Sequence, residues 1–179
     1  GEHPFAGEGP ARADMPQLRG EPLEGSLAES LPRHPSGKVD ATGHFLAEVR
    51  ASGVEVTRGT ADVRDLRPTQ REINARDVAA VVEQIRGGRH SGKDVVVSSD
   101  GHVLDGHHTW AAALSLTLGD GRTRRLPTER VDLPIGDLVD RARTFAREWG
   151  IMSRRFEKML EAVDRLLKAG GKQVRVDFG

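Results

Sequence analysis

The chain has no cysteine among its 179 residues, which excludes disulfides, thiolate nucleophiles and cysteine-ligated zinc. No apolar run approaches the roughly 20 residues that cross a bilayer, and the N-terminus lacks the apolar core of a secretion signal. Net charge is absent too. The 27 basic and 27 acidic residues cancel, so no global field draws the protein to nucleic acid or to a membrane. Residues 1–60 hold nine acids and six bases, net −3, and residues 61–179 hold eighteen and twenty-one, net +3. That asymmetry permits an anionic ligand without requiring one. The length suits one domain of ordinary size plus a tail. A start at Gly1 rather than methionine raises the expectation of a cleaved tag or of excision from a longer polypeptide.

Residues 1–40 contain six of the nine prolines and six glycines, with few large apolar side chains. They read as a flexible or wrapping N-terminal arm, with Met15-Pro16-Gln17-Leu18 as a short apolar knot able to dock. Thr42 is the expected N-cap of a helix over about 43–52, and Gly53 its stop. Val54–Thr57 and residues 61–66 read as two separate extended segments. Asn74, followed by Asp77, opens a helix with Val78, Val81, Val82 and Ile85 on one face, ended by Gly87-Gly88. Gly119 to Arg125 reads as a basic loop, and Val131-Asp132-Leu133 as a brief strand. Two helices follow, over about 137–149 and 153–169, the second capped by Ser153 with Phe156, Met159, Leu160, Val163, Leu166 and Leu167 as its apolar face. Residues 173–178 alternate as a final strand. The pattern is that of a small α+β domain with short strands interleaved by helices, not a doubly wound sheet. It divides into the arm, a core over 41–133 and a C-terminal helical extension with a short strand over 134–179.

The most informative stretch is 96–114, V-V-S-S-D-G-H-V-L-D-G-H-H-T-W-A-A-A-L. It spells strand, turn, strand, tight corner at Asp105-Gly106, then helix from His107, with Trp110 in the core. A glycine at a helix mouth admits a close-approaching group, and the first-turn N–H groups favour an anion there. His107 and His108 are candidates for phosphate contact or proton transfer, against the alternative that one of them is a structural hydrogen-bonding residue. Adjacent helical residues point about 100° apart, so the two need not face one ligand. Asp105 is a candidate Mg²⁺ contact, or equally an Asx-turn residue. Arg122, Arg124 and Arg125 could pair with a polyanion or be solvated surface. His90 and His102 join His107 and His108 in a cluster too loose for a zinc motif.

Two motifs in order, L-x-P-T-Q-x-E-I-N at 66–74 and the D-G-H-H-bearing stretch above, resemble the ParB/sulfiredoxin-like superfamily. The likeness is greatest to the ParB-like nuclease domains of phage and mobile-element proteins, and covers about residues 12–133. The resemblance implies a small mixed sheet with interleaved helices. It implies a phosphate-binding segment at Asp105, Gly106, His107, His108 and Thr109. Thr69 and Gln70 are further ligand-contact candidates, able to bond a base, a sugar or simply the neighbouring backbone, and Arg122 and Arg124 are candidates by charge alone. Glu72 becomes the candidate general base or metal-contacting carboxylate, against the alternative of a solvated first-turn acid favoured by the helix dipole, with His107 and His108 as the other catalytic candidates. The absence of cysteine rules out sulfinic-acid reduction by sulfiredoxin's route. A Gly-His-His where an arginine-rich box is expected, with no helix-turn-helix domain after the core, argues against chromosome partition.

The resulting expectation is a nucleotide- or nucleic-acid-phosphate-binding domain that hydrolyses a phosphodiester or phosphoanhydride bond, nuclease-like and of phage or mobile-element origin. Mg²⁺ and ATP or another nucleoside triphosphate are the implied cofactors. A small-molecule kinase, a non-catalytic nucleotide- or DNA-binding or assembly module, and the toxin domain of a larger protein are the alternatives. The partners expected are a nucleotide or nucleic acid, no membrane, and a second copy or a parent polypeptide contacted through the C-terminal helices. The expected location is the cytoplasm, or a phage or secreted larger protein.

Overall fold

The computed structural model describes residues 10, 14–70, 73–89 and 93–170. Its centre is the apolar run Val95-Val96-Val97, buried on both sides. Successive side chains of a strand point to opposite faces, so a strand apolar at every position needs a cover on each face. Val95 and Val97 pack with Val103, Trp110 and Val78 on one side. Val96 packs with Leu104, Phe45, Leu138 and Phe145 on the other.

In chain order the elements are β1 (Arg19–Gly20), β2 (Val39–Asp40), α1 (Thr42–Ala51), β3 (Val56–Asp62), β4 (Arg67–Pro68), α2 (Ala75–Arg86), β5 (Val95–Val97), β6 (His102–Asp105), α3 (His107–Asp120), β7 (Arg125–Val131), α4 (Ile135–Trp149) and α5 (Arg154–Ala169). Five strands form one mixed sheet in the order β3-β7-β5-β6-β4, and β1 and β2 form a two-stranded antiparallel ribbon. The fold is α+β. The helices α2 and α3 cover one face of the large sheet, and α1 and α4 the other. Among the described residues no helix is long and apolar enough to cross a membrane.

Several boundaries differ from the sequence expectation. The two extended segments expected around 54–66 are one strand, β3, paired along its length with β7, followed by a 3-10 turn at Val63–Asp65. The basic loop and brief strand expected over 119–133 contain the seven-residue β7. Pro127 hid it, because proline cannot donate to a sheet ladder. Here β5 pairs with β7 only from Thr128 onward, so Pro127 lies where one side of β7 has no neighbour among the sheet strands. Thr42 is not the cap of α1. It is the first helical residue, and its N–H is accepted by the Asp40 carboxylate two residues earlier. The caps expected at Asn74 and Ser153 are present, each accepting first-turn N–H groups. The final strand expected at 173–178 lies outside the described residues.

The arm wraps. Met15, Leu18, Ala28, Leu31 and Val39 are buried with α1 and α4. Backbone bonds from Leu23 N–H to the Gly150 carbonyl and from Met152 N–H to the Glu21 carbonyl tie it across the α4–α5 joint. Gly150 sits there at φ +85°, where an added Cβ would meet Ser26 at 2.4 Å. The apolar face of α5 is exposed, from Phe156 at 37% to Leu166 at 68%.

Candidate functional site

Gly106 makes the turn from β6 into α3 at φ +101°, a left-handed conformation that favours glycine. An added Cβ there would stand 3.1 Å from Cγ2 of Val95, so the corner is also too tight for a side chain. Gly106 at the N-cap has no side chain to cap α3, and the first intrahelical bond runs from Trp110 N–H to the Gly106 carbonyl. The preceding first-turn N–H groups therefore have no acceptor within the helix.

His107 and His108 leave this corner in different directions. His107 is buried, and its Nε2 accepts the backbone N–H groups of both Thr69 and Gln70 at 3.1 Å. That bonding fixes a neutral ring with the proton on Nδ1. Burial, with the neighbouring His108 adding to it, lowers its pKa from 6.5 to about 3. The imidazole expected to touch phosphate or move a proton instead ties the 69–70 backbone to α3. His108 is half-buried on the wall of a cleft, with Nε2 3.8 Å from the Asp77 carboxylate at the start of α2.

The cleft has a volume of about 950 Å³ and is lined by Asp105, Gly106, His107, His108, Thr109 and Gln70. Its walls also carry Arg19 and Lys38 from the arm, Arg89 after α2, Lys93 before β5 and Arg154 at the start of α5. Of these five cations, Arg19 and Lys93 share the Asp40 carboxylate and Lys38 pairs with Glu157 at 3.5 Å, while Asp94 and Asp105 are the carboxylates on the cleft wall. Asp94 is itself paired with Arg58 at 3.1 Å. Desolvation pushes the Asp105 carboxyl above its usual range, with Lys93 and Arg19 pulling the other way. Thr69 is buried behind this wall, and among the described residues its Oγ1 has no hydrogen-bond partner.

The arginines expected as ligand contacts are elsewhere. Arg122 follows the far end of α3, about 20 Å along the helix axis from its mouth. Arg124 is held by Asp120 at 2.7 Å, and Arg125 donates to Thr60 Oγ1 at 3.0 Å. None of the three lines the cleft. Glu72 and His90 lie outside the described residues. Sequence reading missed the arm and linker cations because each stands alone in its segment, with no run or spacing to mark it.

Among the described residues no three potential ligands converge on a metal position. Asp105 could give a Mg²⁺ ion one protein oxygen, which suits an ion held mainly by phosphates. Comparisons of the chain with models of protein families, with curated proteins and with solved structures found no match.

Proposed function

We propose that the chain binds a phosphate-bearing ligand, a nucleotide or nucleic-acid phosphate, at the mouth of α3. We propose further that it hydrolyses a phosphodiester or phosphoanhydride bond there, as the resemblance to ParB-like nuclease domains of phage and mobile elements implies. The observation that carries the reading is the meeting of α3's uncapped first turn, His108 and five cations in one cleft. Such a helix end attracts anions through its N–H groups and its dipole, and the volume falls in the range of small-ligand pockets. In this reading Gly106 lets the phosphate approach the backbone, and Thr109 and Gln70 donate from the wall. His108 exchanges the proton, and His107 positions the 69–70 segment. The resemblance gives Glu72 the part of base.

Calorimetric titration with ribo- and deoxyribonucleoside di- and triphosphates in Mg²⁺ tests it. Binding lost in His108→Ala and kept in Glu72→Ala places the phosphate at 105–109 and leaves Glu72 for the chemistry. No binding by the wild type removes the nucleotide form of the proposal.

An assembly module is a second reading with one observation in its favour. The exposed stripe of α5 repeats at 156, 159, 160, 163, 166 and 167, the spacing of a helix that buries one face against another. A sedimentation series of wild type against Leu160→Glu checks it, and an unchanged monomer in both sinks it.

A further inference from the structure

We propose that Arg19 and Lys93 form a second anion subsite in the same cleft, which takes a second phosphoryl group of the ligand and is held ready by Asp40. The proposal rests on the reading of the α3 mouth as the first phosphate site, and adds that the ligand carries two phosphoryl groups.

The two cations come from places distant in the chain, β1 and the approach to β5. They meet on a single oxygen, Oδ2 of Asp40, Arg19 Nη2 at 3.5 Å and Lys93 Nζ in a direct bond. Asp40 is occupied on its other side, where Oδ1 accepts the Thr42 N–H at 3.2 Å. One carboxylate therefore orders two cations and neutralises one. Burial alone would raise the Asp40 carboxyl, but Lys93 and Thr42 hold it at about 2, so this carboxylate stays charged at neutral pH.

Neither cation is sealed off. The Arg19 side chain is 37% exposed and that of Lys93 is 43% exposed, and both line the cleft. Both line the same cleft as Asp105 and Gly106, at the α3 mouth. A planar guanidinium next to an ammonium suits the terminal oxygens of a phosphoryl group. Because Asp40 already holds them, little side-chain freedom is lost when the anion arrives.

The test is calorimetry with inorganic phosphate and pyrophosphate as probes, and thermal melts as a check on folding. Wild type should bind pyrophosphate about tenfold more tightly than phosphate. Arg19→Met and Lys93→Met should each erase most of that ratio, weakening pyrophosphate binding more than phosphate binding. A merely structural Arg19–Asp40–Lys93 cluster leaves the ratio unchanged in both folded variants. A ratio that survives both methionine variants therefore overturns the subsite. Phosphate binding with no advantage for pyrophosphate removes the second subsite alone, and no binding of either anion removes both sites. A 5′-phosphorylated dinucleotide run in parallel identifies the source. Dependence on Lys93 for the dinucleotide marks a strand, and for pyrophosphate alone a nucleoside polyphosphate.

Discussion

At its first turn α3 emerges from a left-handed glycine into a cleft whose cations come from the arm, the end of α2, the approach to β5 and the start of α5. At its last turn it runs into a second left-handed glycine, Gly121, beside a sequence-local group of arginines. The second end looks more basic in sequence and is less so in chemistry. Arg124 is tied to Asp120 four residues away, and Arg64 nearby is tied to Asp62. A charge run tends to meet its counterions within its own neighbourhood. Cations gathered from separated segments can share one counterion, as Arg19 and Lys93 share Asp40 at the α3 mouth.

The difference between the two ends can be broken experimentally, and the largest effect is expected at the mouth. His107→Ala leaves two buried N–H groups without their acceptor and should destabilise the fold by about 3 kcal/mol in urea unfolding. Gly106→Ala combines left-handed strain with the contact on Val95 and should cost about 2–3 kcal/mol. Gly121→Ala has the same backbone sign but open space around it, so about 1 kcal/mol is expected. Equal losses for the two glycines would contradict the tight-corner account.

Acid sharpens the comparison further. His107 titrates at about 3 when folded and at 6.5 when unfolded, so between those values the unfolded chain binds more protons. Its contribution is therefore complete above 6.5 and falls with pH through that window, by at most about 1.4 kcal/mol per unit. Asp40, depressed from 3.8 to about 2, adds a loss only at lower pH. Asp105, whose carboxyl is raised, slopes the other way, and the difference between wild type and His107→Gln cancels it. That difference curve should show the His107 slope, and a flat one would mean the ring is not buried neutral. The smallest effect belongs to the far end. Arg124→Ala removes a solvent-screened surface pair and should leave the urea midpoint and phosphate binding unchanged.

Local signals were the legible ones. Asn74 and Ser153 announced their helices because a cap is chemistry within three residues. Gly106 and Trp110 read correctly as corner and core, since Trp110 is 3% exposed with Nε1 donating to the Val63 carbonyl. What failed was non-local. The continuity of β3 through Arg58-Gly59-Thr60 follows from its ladder with β7, and no propensity in those residues suggests it. The division of labour between His107 and His108 is set by where the 67–70 segment passes, 37 residues earlier in the chain than the ring it meets. Arg19 and Lys93 become neighbours only through Asp40.

The most direct test of the account is a ¹⁵N–¹H shift map of the full chain titrated with pyrophosphate. It predicts progressive shifts at the amides of residues 106–109, at Lys93 and at Arg19, and none over 120–125. Shifts concentrated at Arg122–Arg125, with the α3 mouth silent, would contradict it.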